Sequence, residues 1–294
     1  MKTAESSMKS EFWHFIVHLR LHYQFLILSG GFLLPLLLIE EVIWSEYIYQ
    51  FLVVYICLFG GATAYNSYWD KDEGAIGGLR NPPKMTKWMW IASLLLQLVG
   101  FILILPFGWT QQGLYVLSFF LFWAYSSPLA RWKGDPHLSI LAIAVSTGTN
   151  SFLMGTIAAG GTVEVTTILL AIGVSMILVS LYPISQVYQI DEDQKRGDHT
   201  FAARYGLRGV RYFFLITFGI GVLLSWWMML NLGKTDIGSL FLLVSLCSFG
   251  VLTVFVFRLH GAIKEYRLVM NIKFGASFSF VVFILLTRLV LSMS

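Results

Sequence analysis

The sequence predicts an all-α polytopic membrane protein with nine transmembrane helices. Three observations carry that expectation. The 294 residues are 57% hydrophobic and only 12% charged, against about a quarter charged in soluble domains, and mean hydropathy is +0.73. The apolar residues fall in runs near the ~20 residues that cross a bilayer. When the runs alternate in direction, 18 of the 20 Lys and Arg residues fall on one face, the bias that marks a cytoplasmic side. No strand-like alternation supports a barrel.

The elements follow in chain order. Residues 1–24 mix charges and histidines with Phe12, Trp13, Phe15, Ile16 and Leu19. That pattern suits a cytoplasmic amphipathic helix along the membrane surface, not a cleavable signal peptide, which needs an uninterrupted apolar core. Apolar runs then occupy 25–39, 48–65, 89–107, 114–125, 138–159, 165–187, 212–230, 237–257 and 274–291. The first and fourth are short for a span. With a cytoplasmic N-terminus, only Lys234 and Arg288 fall outside, and so does the C-terminus. The outer connections 108–113 and 160–164 are short. The inner ones, 70–87, 126–137, 188–211 and 258–273, are longer and charged, so chemistry is expected there. No Pro/Ser linker divides residues 1–294, which are expected to form one domain. Cys57 and Cys247 lie within spans and supply no disulfide or zinc framework. The pI of about 9.0 suits anionic lipid headgroups. Nothing supports a nucleic-acid partner.

Two acidic clusters end the second and sixth runs: Asn66-Ser-Tyr-Trp-Asp70-Lys-Asp72-Glu73 and Gln189-Ile-Asp191-Glu192-Asp193. Carboxylates beside hydrocarbon are costly, so their default reading is functional. Residues at i, i+4 and i+7 share a helix face. Asn66, Asp70 and Glu73 meet that spacing; Tyr182, Gln186, Gln189 and Asp193 form the equivalent stripe, with Asp72 and Asp191 off it. Oxygen donors on two facing helices suit Mg²⁺, which binds through few carboxylates plus substrate phosphates and water. The expected metal donors are Asn66, Asp70, Asp72, Glu73, Asp191 and Asp193. Asp70, Asp193, Asn66, Tyr182 and Gln189 are the expected catalytic set. Arg80, Lys84, Lys195, Arg196, Arg204 and Arg131 offer cations for a diphosphate, and the aromatic, Met-rich spans behind suit a hydrocarbon chain.

At these residues the chain resembles the UbiA superfamily of intramembrane prenyltransferases, over essentially its whole length. Asn66-x-x-x-Asp70 matches the start of that family's first aspartate-rich motif. Asp191-x-Asp193 followed by Gly197, Thr200, Ala202 and Gly206 matches the end of its second. Tyr125-Ser-Ser-Pro128 with Arg131 and Lys133 is similar to its loop after helix 4. The resemblance implies a UbiA-type nine-helix bundle, Mg²⁺-dependent ionisation of a prenyl diphosphate, and transfer to a lipophilic or aromatic acceptor. The chain departs from the pattern in three places. Gly74 and Gln189 stand where the family usually has aspartates, and Asn81-Pro82-Pro83 replaces the common Arg-Pro. Fewer carboxylates keep a second reading open, a UbiA-type terpene cyclase in which the substrate's own double bond captures the cation. A transporter or non-catalytic prenyl-lipid binder is a third, disfavoured because the carboxylates cluster at one face and not at the midplane.

Several residues have plainer readings. Asp198 is expected to be a solvated loop charge. Ser146 to Ser151 suits small-residue helix packing as well as a pocket. Tyr65, Tyr182 and Tyr188 fit core packing better than a pocket wall. His14, His18 and His22 repeat every four residues, but their interfacial position and lack of a carboxylate partner favour a surface helix over a metal site.

Overall fold

The computed structural model describes residues 2–70 and 76–293, with side chains from residue 10 onward. Regular structure among these residues is helical, with no strand. Helix α1 spans Lys2–His18, and α2 runs through 21–37 as successive α, π and 3-10 turns. Then come α3 Trp44–Asp70, α4 Lys87–Phe107, α5 Trp109–Ser126, α6 Pro136–Ala158 and α7 Val165–Arg196. Three long helices close the order: α8 Phe201–Asn231, α9 Thr235–Phe257 and α10 Ile263–Leu291.

Seven of these helices are long and apolar enough to cross a membrane, short of the nine expected. The two that fall below are α2 and α5, the same runs that read as short in the sequence. Pro35 sits in the closing 3-10 turn of α2, where its missing N–H and fixed φ prevent a regular helix. In α5, Gln111 and Ser118 are buried polar residues within eighteen and lower its apolarity.

The two cations expected on the outer face do meet at one end of the bundle. Lys234 Nζ pairs with Glu40 Oε1 at 2.8 Å. The Arg288 guanidinium donates to the carbonyls of Leu36, Ile39 and Glu40 at 3.1, 2.8 and 2.8 Å. These bonds satisfy carbonyls left open where α2 ends.

The main core gathers Phe32, Tyr55, Phe59 and Phe152, all buried, with ring centroids 4.9–5.8 Å apart for the Tyr55–Phe59 and Phe32–Tyr55 pairs. The small-residue run of α6 serves mainly packing. Asn150 Nδ2 donates to Ser118 Oγ at 3.0 Å, and Ser151 Oγ meets Tyr55 Oη at 2.8 Å. One turn on, α6 touches α2 through Gly155, where an added Cβ would stand 2.1 Å from the Phe32 carbonyl oxygen. Gly155→Ala is therefore expected to destabilise the protein by about 2–3 kcal/mol, the cost of overpacking. Gly219→Ala, with no atom within 4 Å of its added Cβ, should leave the apparent Tm in detergent unchanged.

Candidate active site

A cavity of about 290 Å³ opens at the end of the bundle where α3 and α7 carry their acidic clusters. On α3, Asn66 and Asp70 line it; on α7, Tyr182, Gln186, Gln189 and Asp193 do. The latter are the four positions that helical spacing groups on one stripe. Pro183 opens a 3-10 turn over Pro183–Gln189, so the stripe stays directed at the cavity through a distortion instead of along a straight helix. Gly197, at φ 75°, ends α7 in the left-handed conformation that glycine adopts freely. The chain turns back there, and Asp198 and Thr200 also reach the cavity.

The carboxylates are held by specific partners. Asp70 Oδ2 accepts from Asn66 Nδ2 at 2.7 Å, while Asn66 Oδ1 accepts from Ser126 Oγ at 2.9 Å. The Lys133 ammonium is in direct contact with Asp70 Oδ1. Thr200 Oγ1 donates to Asp193 Oδ2 at 2.8 Å. Burial pushes the Lys133 ammonium down to about 8, although Asp198 and Asp193 favour its charged form. Among the described residues, the charged side chains on the cavity wall are Asp70, Asp193 and Asp198 against Arg20, Lys133, Arg196 and Lys273. Cations exceed carboxylates by one, which favours an anionic guest. Deeper in, the walls turn apolar with Leu28, Phe59, Phe122, Ile143 and Leu178.

Asp198 is not a solvated loop charge. It is 8% exposed and receives a two-pronged hydrogen bond from Arg131, Nε to Oδ1 at 3.0 Å and Nη2 to Oδ2 at 2.9 Å. Arg131 itself adopts φ 46°, a strained value for a residue with a Cβ. Its guanidinium thus clamps the loop after α5 to the loop after α7. Arg131→Ala and Asp198→Ala are expected to lower activity to the same level. The double variant should be no worse than either, with a coupling of about 1 kcal/mol or more in a double-mutant thermal-shift cycle.

The N-terminal segment closes the cavity from the side. Arg20 is 7% exposed at φ 49°; its guanidinium donates to Gly77 O at 3.1 Å and Ser67 Oγ at 2.6 Å. His18 Nε2 lies 2.7 Å from Pro83 O, and His22 Nε2 lies 3.1 Å from Gly78 O. The histidines therefore pin the loop after α3 and do not converge on a metal. Of this segment, Phe15 and Leu19 pack inward on Ala64 and Met89, and Phe12 and Trp13 are exposed.

The remaining expected residues divide. Asp72, Glu73 and Gly74 lie outside the described residues. Asp191 is exposed and does not line the cavity, and neither do Arg80, Lys84, Lys195 and Arg204, all exposed. Of the cations expected beside the acidic clusters, Arg196 alone lines the wall, together with Lys133, Arg20 and Lys273. Lys133 belongs to the loop motif already noted, but Arg20 and Lys273 read in sequence only as topology markers. Lys273 immediately precedes the last apolar run, and its Nζ donates to Tyr23 Oη at 2.6 Å; a lysine at the mouth of a span was the available signal. Tyr188 is buried and lines the cavity, whereas Tyr65 is buried elsewhere. Tyr125 also reaches the cavity, its hydroxyl 3.0 Å from that of Tyr182.

The signature of the UbiA prenyltransferase family matches residues 28–275. The chain belongs to that family. Its fold is similar to a UbiA homologue from Archaeoglobus fulgidus bound to GPP and Mg²⁺, at 13% identity and a TM-score of 0.70, covering 92% of this chain and 99% of that one. A UbiA homologue from Aeropyrum pernix K1 in its apo form gives 16% identity and a TM-score of 0.66, covering 90% and 98%. Digeranylgeranylglyceryl phosphate synthase in membranes gives 16% and 0.62, covering 93% and 99%. No curated protein matches the chain.

In this UbiA chain the oxygen donors fit a hard divalent cation. Among the described residues no three His, Cys, Asp or Glu side chains cluster as a preformed cage. Mg²⁺ does not require one, since it commonly takes one or two carboxylates and completes its shell with substrate phosphates and water. Asp70 and Asp193, on one cavity with Asn66 and Gln189, are the residues that would hold it.

Proposed function

We propose that this chain is an intramembrane prenyltransferase that ionises a prenyl diphosphate and passes the prenyl group to a lipophilic or aromatic acceptor. The observation that carries the reading is the layering of one cavity. Three carboxylates and four cations stand at its mouth, and apolar walls continue below. The Archaeoglobus fulgidus relative, bound to GPP or DMAPP with Mg²⁺, supports the same class of substrate.

Bound at Asp70 and Asp193, the divalent cation would neutralise charge that gathers on the diphosphate as it leaves. The protein's own groups do the rest. Lys133, Arg20, Arg196 and Lys273 offer charge-assisted hydrogen bonds to the phosphate oxygens. The allylic C–O bond breaks heterolytically, and its electron pair departs on the diphosphate oxygen. The allylic cation faces Tyr125 and Tyr182, whose rings stabilise positive charge through their faces. The acceptor's nucleophilic atom then forms the new bond and releases a proton. Burial of the cavity walls keeps water from competing for the cation. Asn66 orients Asp70, Thr200 orients Asp193, and Arg131 acts through Asp198. The basic bias of the loops at this end supports a cytoplasmic active site, with the C-terminus on the opposite side.

The test is product analysis with purified protein and a panel of prenyl diphosphates, with and without candidate acceptors and EDTA. A prenylated acceptor formed only with divalent cation is the expected result. Diphosphate release that EDTA leaves untouched would overturn the metal assignment. A cyclic hydrocarbon or alcohol formed without acceptor would make the chain a cyclase, and binding without release would make it a carrier.

A further inference from the structure

The apolar part of the cavity ends on a closed floor. Phe59 is the lowest cavity residue of α3, and one turn deeper Tyr55 is fully buried. The Tyr55 hydroxyl donates to Leu28 O of α2 at 3.1 Å and meets Ser151 Oγ of α6 at 2.8 Å. A single side chain therefore bridges three helices directly beneath the cavity. The rings of Tyr55 and Phe59 lie tilted against each other at 4.9 Å, and Phe59 meets Phe122 edge-on at 5.0 Å, so the barrier is two aromatic layers thick. Lys273 holds Tyr23 at the upper level, and at the lower level Phe280 of α10 packs against Gly30 of α2, within 2.8 Å of an added Cβ.

The depth above this floor is short. Asp70 and Phe59 are eleven residues apart on α3, about 16 Å at a rise of 1.5 Å per residue. A cation and phosphate oxygen below the carboxylate take about 4–5 Å of this at metal–oxygen distances near 2 Å. About 11 Å is left for the chain. An extended isoprene unit advances about 5 Å over four carbon–carbon bonds, so two units fit and four, at ~20 Å, do not.

We infer that the Phe59–Tyr55 floor sets the prenyl chain length, so that the site takes geranyl-sized diphosphates and rejects geranylgeranyl diphosphate. The inference rests on the proposed function above and adds a substrate class to it. The experiment measures binding of the non-ionisable S-thiolodiphosphates of geranyl and geranylgeranyl to the full-length protein in detergent with Mg²⁺. It uses the wild type, Tyr55→Ala, Phe59→Ala and the bulk-preserving Tyr55→Phe. The wild type and Tyr55→Phe are expected to bind the geranyl analogue at least 10-fold more tightly. Phe59→Ala, which removes the layer that faces the cavity, should shrink that preference at least 10-fold by gaining affinity for the longer analogue, and Tyr55→Ala, which leaves Phe59 above it, should shrink it less; should Tyr55→Ala fail to fold, Phe59→Ala decides. Equal wild-type affinity for both lengths, or an unchanged preference in folded Phe59→Ala, would overturn the floor while leaving the diphosphate site standing. Binding of neither analogue would overturn the proposed function along with it.

Discussion

Asp70→Asn and Asp193→Asn are each expected to lower diphosphate release by about 10³-fold, roughly 4 kcal/mol of transition-state stabilisation. The two carboxylates come from different helices and reach one cavity, so neither can replace the other. Both substitutions keep side-chain shape. The amide retains an oxygen toward Asn66 or Thr200, the present partners at 2.7 and 2.8 Å. Thermal stability should consequently change little for Asp193→Asn, whereas Asp70→Asn also strips the Lys133 ammonium of its partner and should lower the apparent Tm; Asp193→Asn therefore separates lost chemistry from lost fold. Binding of a prenyl thiolodiphosphate in the presence of Mg²⁺ should weaken in both variants. Release at the wild-type rate in either variant would remove that carboxylate from the mechanism.

Replacing Lys133 is expected to have the next largest effect. Its ammonium touches Asp70 and lies on the cavity wall, and removing one member of a mostly buried charge pair leaves the other uncompensated. Lys133→Met should lower kcat/KM by about 10²-fold, the scale of a charged hydrogen bond to phosphate with its partner left bare. The wild-type pH profile supplies an independent readout. Burial pushes Lys133 down to about 8, so the ammonium is charged below that pH and loses its proton above it. Because kcat/KM reports groups of the free enzyme, it should fall as pH rises through about 8. Lys133→Arg, which stays protonated throughout, should remove that fall even if its different shape lowers the plateau. A wild-type profile flat between pH ~7 and ~10 would sink the assignment, because an ordinary lysine titrates above that range.

Much of the architecture is legible in the chain because a bilayer imposes one rule on every span: backbone polar groups must be satisfied within the helix. Apolar run lengths therefore mark helices without reference to neighbours. The same regularity exposes the Tyr182–Gln186–Gln189–Asp193 stripe, since a helical period persists even through the turn at Pro183. Lys234 and Arg288 likewise stand apart by topology alone and are found at one end of the bundle.

The cation set did not read out in the same way. Arg80, Lys84, Lys195 and Arg204 are adjacent in sequence to the acidic clusters yet exposed, whereas Arg20 and Lys273 come from opposite ends of the chain. Adjacency along a loop says little about direction, because a loop has no period to aim its side chains. Asp198 illustrates the same point: its burial depends on Arg131, sixty-seven positions away.

By itself, then, the sequence determined that this is a helical membrane protein of the UbiA type with acidic helix ends on α3 and α7, because those properties follow from local hydrophobicity and helical spacing. Only the tertiary structure decided which cations face the carboxylates, that Lys133 meets Asp70, and where the apolar cavity stops. Each of those depends on side chains from separate helices meeting across the bundle, and the Tyr55 bridge among α2, α3 and α6 has no signature in any one of them.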